Sequence, residues 1–296
     1  MRSTLVAVLL AALAALEARA QTPVMRSVTL SVYTKKAEPV SDLRPDEVVV
    51  SEGGRKPAIL GLEPDRRPLE IAVVVDSSAA TASNYRSDLV AAVVALWKAL
   101  PPDATVAVWT TGPPSKVVDF GMALAEAEPR LQSIAPAGKN YAFDAILDAS
   151  RALGSRPSER RALVYVGGLD IEATRTRTAE AQQAMGQALV VPLVVLIQAG
   201  GAGAPIGGPT SGVTMSWDVQ GYFEKMTPTY GGICWVVLST QAAAKTLREA
   251  AAIVSSQYRV RYESVAEAQA VPKVEVRRKD TRLLVGRTQL EVAKRN

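Results

Sequence analysis

From Leu69 onward the chain alternates between two kinds of segment. Five stretches are nearly continuous in apolar residues: Leu69–Val75, Thr105–Trp109, Ala162–Val166, Val190–Ile197 and Ile233–Leu238. Runs of this length suit strands that are covered on both faces. Between them lie stretches with helical spacing, Ser83–Leu100, Met122–Ile134, Tyr141–Leu153, Thr176–Leu189, Val219–Met226 and Gln241–Gln257. Strands alternating with helices predict an α/β fold, a doubly wound and mainly parallel sheet. Lys116–Phe120 is expected as a short edge strand that pairs back after Thr111–Pro114.

The two ends follow a different pattern. Arg26–Tyr33 alternates apolar and polar residues, Glu47–Ser51 is a short second run, and Glu52-Gly53-Gly54-Arg55 is a turn before Pro57–Leu62. Pro64–Pro68 is a charged, proline-bounded connector, and the tail carries strand patterns at Tyr258–Tyr262, Lys273–Arg277 and Thr281–Val285. The expected organisation is a β-rich segment and linker over 21–68, the α/β domain over 69–263, and strands of 264–296 packing with the first segment as a small companion. Ala199–Thr214 is rich in glycine and proline and long for a compact domain. It is expected either as a binding loop or as an insertion without function.

The first twenty residues stand outside this pattern. Arg2, the apolar run Leu5–Leu16 and the small-x-small site Ala18-Arg19-Ala20 predict a secretory signal peptide, with the mature chain starting at Gln21 in the periplasm or the medium. A membrane span needs about 20 apolar residues, and this run is shorter. Loss of Arg2, Glu17 and Arg19 takes the net charge from +5 to +4. The arginine pairs at 66–67, 160–161 and 277–278 flank predicted strands and form no single block, which argues against a nucleic-acid surface. The sequence has no histidine, so Ser-His-Asp and Cys-His nucleophiles and histidine zinc sites are ruled out. Cys234 is the only cysteine and forms no internal disulfide.

The chemistry-bearing stretch is Ile71–Ser83, IAVVVDSSAATAS. It puts Asp76, Ser77 and Ser78 at the carboxyl end of the first strand of the doubly wound part, where open α/β sheets place their ligand crevice. Such oxygens can hold a hard cation or cap the next helix by accepting its N–H bonds. No Gly-Lys-Ser/Thr phosphate loop occurs, and Gly200-Gly201-Ala202-Gly203 does not open a helix in the dinucleotide pattern.

A strand ending in Asp-x-Ser at this place resembles the von Willebrand factor type A (VWA) domain. The flanks are similar to the exported bacterial branch known as VWFA-related acidobacterial domain proteins. They are DLRPDEVVVSEGGRKPAILGLE (Asp42–Glu63), KNYAFDAILDA (Lys139–Ala149), RRALVYVGGLD (Arg160–Asp170), Tyr230-Gly231-Gly232 and SSQYRVRYES (Ser255–Ser264). The resemblance implies a Mg²⁺-dependent adhesion site made of Asp-x-Ser-x-Ser, a threonine before the second helix and an aspartate after the fourth strand. Asp76 and Ser78 match that set, but Ala80, Asn140 and Gly168 stand at the other three positions. Thr81 or Asp170 could fill in from neighbouring positions, against the strict octahedral geometry of Mg²⁺. The expectation is a degenerate adhesion site with no cofactor, in which Asp76, Ser77, Ser78, Asn140 and Asp170 mark the loops that meet an envelope or extracellular protein partner. The alternatives are a carboxylate-based hydrolase using Asp76, Asp144 or Asp170, and a structural scaffold of the cell envelope.

Overall fold

The computed structural model describes residues 24–36, 38–172, 175–198, 218–264, 272–286 and 289–290. The signal-peptide segment and Ala199–Thr214 lie outside the described residues. The chain enters through β1 (Val24–Thr34), β2 (Val48–Ser51) and β3 (Ile59–Pro64). The alternating part follows as β4 (Leu69–Val75), α1 (Ala91–Lys98), β5 (Thr105–Thr111), β6 (Pro114–Val118), α2 (Leu124–Ser133), α3 (Ala142–Gly154), β7 (Arg160–Gly168), α4 (Arg175–Gln187), β8 (Val191–Ile197), α5 (Val219–Thr229), β9 (Ile233–Val237) and α6 (Thr240–Ser255). The chain then runs through β10 (Gln257–Ser264), β11 (Lys273–Val276), β12 (Thr281–Val285) and the short β13 (Gln289–Leu290).

The apolar runs join in one six-stranded sheet of order β6-β5-β4-β7-β8-β9, parallel except for β6. Period-two alternation within each strand feeds two cores. Ile71, Val73 and Val75 point to the layer that holds Leu89, Val93, Leu131 and Leu247. Ala72, Val74, Leu163 and Tyr165 point to the layer that holds Phe143, Ile146, Met185 and Phe223. Both faces are therefore covered, and this explains why β4 is buried along its whole length. The order reverses at β4, which pairs with β5 on one side and with β7 on the other. The ends of β4 and β7 meet at this switch point, the place at the carboxyl edge where an open α/β sheet carries its crevice.

Three local features differ from the sequence pattern. The helix expected over Ser83–Leu100 starts late: Ala79–Thr81 is a 3₁₀ turn and Tyr85–Val90 is π-helical before α1 begins. The edge strand is Pro114–Val118 rather than Lys116–Phe120, because β5 runs on to Thr111 and a tight turn returns the chain at once. Tyr258–Tyr262, expected within the α/β domain, lies in β10 at the middle of a separate antiparallel sheet, between β1 and β3. Tyr258, Val260 and Tyr262 are buried with Val28, Leu30, Val48 and Val50, while Arg259 and Arg261 take the other face. That alternation marks a half-covered antiparallel strand and not a parallel interior one.

The antiparallel sheet has the order β12-β1-β10-β3, with β13 also on β1, and β2 pairs with β11. Strands from both ends of the chain thus build one β-rich companion. Its junction with the α/β part is polar as well as apolar. Arg160 at the start of β7 is buried and donates to Gln257 Oε1 at 3.0 Å and to the Val254 and Ser255 carbonyls at 2.6 and 2.8 Å. Gly231 has a φ of 70°, and a Cβ there would meet the Val285 carbonyl at 2.1 Å, so no larger residue lets β12 approach this turn.

Within the companion, Arg278 clasps the entry segment. Its guanidinium donates to Glu47 at 2.8 and 2.6 Å and to Asp42 at 2.5 Å. The Arg278 bonds, helped by the Arg44 N–H, hold the Glu47 carboxyl down at about 2. A depressed folded-state value adds stability above the unfolded value, and that contribution is lost as pH falls through the folded one. The Glu47 carboxyl carbon is expected to titrate near pH 2 by NMR and to move back toward 4.5 in Arg278→Ala. A wild-type midpoint near 4.5 would refute the clasp.

Candidate functional site

The crevice at the β4–β7 switch holds a buried polar knot. Asp76 is 1 % exposed, Ser77 0 %, Ser78 3 % and Asn140 3 %. The Asp76 backbone N–H continues the ladder to the Val166 carbonyl, which fixes the carboxylate under the end of β7. A buried carboxylate must find donors. Oδ2 accepts from the Gly168 N–H at 2.9 Å and from Asn140 Nδ2 at 2.9 Å. Oδ1 accepts from the Ser78 N–H at 2.9 Å and, more weakly, from the Thr111 hydroxyl at 3.4 Å.

The remaining groups close the network. Ser77 Oγ accepts the N–H groups of Thr111 and Gly112 at 3.2 and 3.0 Å, and the Ser77 N–H returns a bond to Thr111 Oγ1 at 3.2 Å. Ser77 therefore ties β4 to the end of β5 and does not cap the following helix. The Ser77 carbonyl takes the Ala137 N–H, and the Gly138 carbonyl takes the Ala79 N–H. Asn140 bridges to Ile171, and its carbonyl takes the Glu172 N–H at 2.8 Å. Three loops, after β4, before α3 and after β7, are thus locked around one carboxylate.

Tyr165 forms the floor. It is fully buried against Phe223, with ring centroids 5.9 Å apart. Its hydroxyl donates to the Gly168 carbonyl at 3.1 Å and accepts from Asn140 Nδ2 at 2.9 Å. Burial, with the Asp76 charge adding to it, pushes this phenol well above its ordinary range, so it stays protonated and donates. Gly167 makes the closeness possible, because a Cβ there would sit 2.4 Å from Asp76 Cβ and 2.5 Å from the Tyr165 oxygen.

Of the five residues picked from the sequence, four meet in this knot. Asp170 does not: it is exposed on the loop beyond β7. It lies near Lys139, whose ammonium is raised above its usual range first by its bond to Glu172 and to a smaller degree by Asp170. Asp144 is also elsewhere, paired with Arg177 at 2.7 Å. Cys234 is half-buried in β9, and burial pushes its thiol up to about 12, so it is not a thiolate nucleophile at neutral pH. Sequence reasoning missed Tyr165 and Thr111. A signal for both existed: each is a hydroxyl-bearing side chain inside or at the end of an apolar run, where an unpaired hydroxyl would be costly.

The donor set does not fit Mg²⁺. That ion wants oxygen ligands in octahedral array, yet the side chain reaching Asp76 from Asn140 presents N–H protons. Position 168 offers a backbone N–H, the Ala80 side chain has no polar atom, and the Thr81 hydroxyl spends its proton on the Ser78 and Asp76 carbonyls.

No protein-family model matches the sequence, and no curated protein matches it. Solved structures do. A von Willebrand factor type A protein from Catenulispora acidiphila superposes with a TM-score of 0.52 at 11 % identity, covering 93 % of this chain and 76 % of that one. The SpRpn10 VWA domain gives 0.46 at 12 % identity over 61 % of this chain and 94 % of its own. The pilus adhesin SpaC from Lactobacillus rhamnosus GG gives 0.49 at 10 % identity, covering 85 % and 45 %. The fold is that of a VWA domain, and this rests on the first of these. No helix among the described residues is long and apolar enough to cross a membrane.

Proposed function

We propose that this chain is an exported, non-catalytic interaction module of the VWFA-related acidobacterial branch. It docks a protein partner on the loops at the carboxyl edge of its parallel sheet. The observation that carries this reading is the locked crevice. Three loops are fastened to one buried carboxylate, so the surface above them is held in a single shape before any partner arrives. Preorganisation of this kind lowers the ordering cost of association. The rim above the knot is exposed: Ala79, Ala80 and Gly138 are small, and Lys139, Asp170 and Glu172 supply charge of both signs. Small residues let a partner approach the backbone, and the charges set its orientation. Export is supported by Arg2, the Leu5–Leu16 run and Ala18-Arg19-Ala20.

A carboxylate hydrolase is the second reading. It has weaker support, because both Asp76 oxygens are engaged by donors and Asp144 is paired with Arg177. Site-specific photo-crosslinking in the producing cells separates the two. A photoreactive residue at 139 or 170 is expected to give one discrete protein adduct. The same residue at 66, exposed just before the amino end of β4, is expected to give none. Lys139→Glu with Asp170→Lys should weaken binding of the adduct partner by roughly tenfold or more. Equal adducts at 66 and 170 would overturn the docking surface. Turnover of an ester, phosphoester or glycoside that is lost in Asp144→Asn would favour the enzyme.

A further inference from the structure

We infer that the side-chain amide of Asn140 does the work that a divalent cation does in a complete adhesion site of this fold, and that Asn140→Asp converts the crevice into a cation-dependent one. The direction of the hydrogen bonds carries the inference. Asn140 Nδ2 faces two oxygens, Asp76 Oδ2 and the Tyr165 hydroxyl, each at 2.9 Å. Both Asp76 oxygens already take backbone N–H groups, Oδ1 from Ser78 and Oδ2 from Gly168, so the carboxylate stands here as an acceptor. The tyrosine gives its single proton to the Gly168 carbonyl. Both neighbours therefore accept, and the two N–H protons of the amide are both consumed. Turning the amide over would set its oxygen against two acceptors, which fixes its orientation. Asn140 Oδ1 is buried and has no hydrogen-bond partner among the described residues. The chain thus gives up one acceptor to keep the two donations.

Asn140 also ties together the loops on either side of the knot. Its side chain holds Asp76 from the loop after β4. Its backbone holds Ile171 and Glu172 from the loop after β7. A cation does this by charge and can leave; the amide does it by two hydrogen bonds and cannot. The Asp76 loop is then set permanently and is insensitive to metal supply. Asn140→Asp changes the shape little but replaces the donor with a second carboxylate. Two buried like charges in contact repel, and a divalent cation between them relieves the repulsion.

The inference concerns the crevice itself, so its failure would leave the interaction reading standing. Melting temperatures of the mature wild type, Asn140→Asp and Asn140→Leu are compared in chelator and in about 5 mM Mg²⁺ or Mn²⁺, with calorimetric titration of each. Wild type is expected to show no shift and no binding heat. Asn140→Asp should melt several degrees lower in chelator and recover by about 5 °C with Mn²⁺, as a ligand that binds only the folded state requires. Asn140→Leu should melt lower and stay there, since a purely structural loss is not repaired by a cation. Wild-type Mg²⁺ binding that Asp76→Ala abolishes would overturn the inference. So would an Asn140→Asp protein that melts like wild type in chelator, or equal recovery by Asn140→Leu. If Asn140→Asp does not fold, the wild-type Asn140 NH₂ pair decides by NMR. Slow exchange with no change between chelator and Mg²⁺ supports the substitution of amide for cation, and a Mg²⁺-dependent shift overturns it.

Discussion

Asp76→Ala is expected to lower the melting temperature by about 6–12 °C, taking roughly 2–4 °C per kcal/mol for a domain of this size. The carboxylate is the one acceptor shared by the Gly168 N–H, the Ser78 N–H and the Asn140 amide. Removing it strands three donors in a crevice where Asp76 itself is 1 % exposed. Each stranded buried donor costs about 1–3 kcal/mol. Part of this is returned, because the variant no longer has to bury a carboxylate. A net loss of about 3 kcal/mol follows. Asp76→Asn is expected to lose less, since its carbonyl oxygen still serves one side of the knot while its NH₂ opposes a donor on the other. Thermal denaturation of the three proteins checks this. If alanine and asparagine both melt with wild type, the carboxylate does not hold the loops.

Arg160→Ala is the second large effect, about 3 kcal/mol and a comparable fall in melting temperature. Arg160 is 6 % exposed, and its guanidinium has four acceptors across the junction: Gln257 Oε1, the Val254 and Ser255 carbonyls, and the Arg67 carbonyl at 3.2 Å. Its burial lowers its pKa from the ordinary arginine range, against the pull of the Asp65 charge. That desolvation cost offsets part of the bonding, which is why the expected loss is about 3 kcal/mol and not the sum of four bonds. Arg160→Lys should recover less than half, because a single ammonium cannot span four acceptors set in a fork. The loss should also be local. The companion sheet is joined to the α/β part here, so trypsin should cut the variant sooner at Arg66, within the connector before β4. Cleavage at the wild-type rate with an unchanged melting temperature would show that the apolar contacts of Tyr33, Ile253 and Leu284 hold the junction alone.

The sequence by itself determined the parallel strands of the central sheet and the address of the crevice. A run such as Leu69–Val75 has almost no polar residue to turn toward water, so it must be covered on both faces wherever it sits. Asp76, Ser77 and Ser78 follow such a run directly, so their place at its carboxyl end is a matter of chain order. Asn140 was legible only through the resemblance, as the residue standing where the VWA pattern has a threonine before a helix.

What those residues do was decided only by the tertiary structure. Asp76 meets Gly168 and Asn140 across 92 and 64 positions of chain. Asp170, two residues past Gly168, turns outward instead. Sequence spacing cannot say which of two adjacent positions will aim inward where strand geometry has ended and a loop has begun. The same limit applies to β10, whose alternation announces a half-covered strand but not that β1 and β3 will be its neighbours. Local pattern indicates burial where a whole run is apolar and central, as in Leu69–Val75, but not at the sheet edge, where Ile233–Val237 is only partly buried. Hydrogen-bond partners depend on which distant segments the folded chain brings within 3 Å, and that is a property of the whole packing.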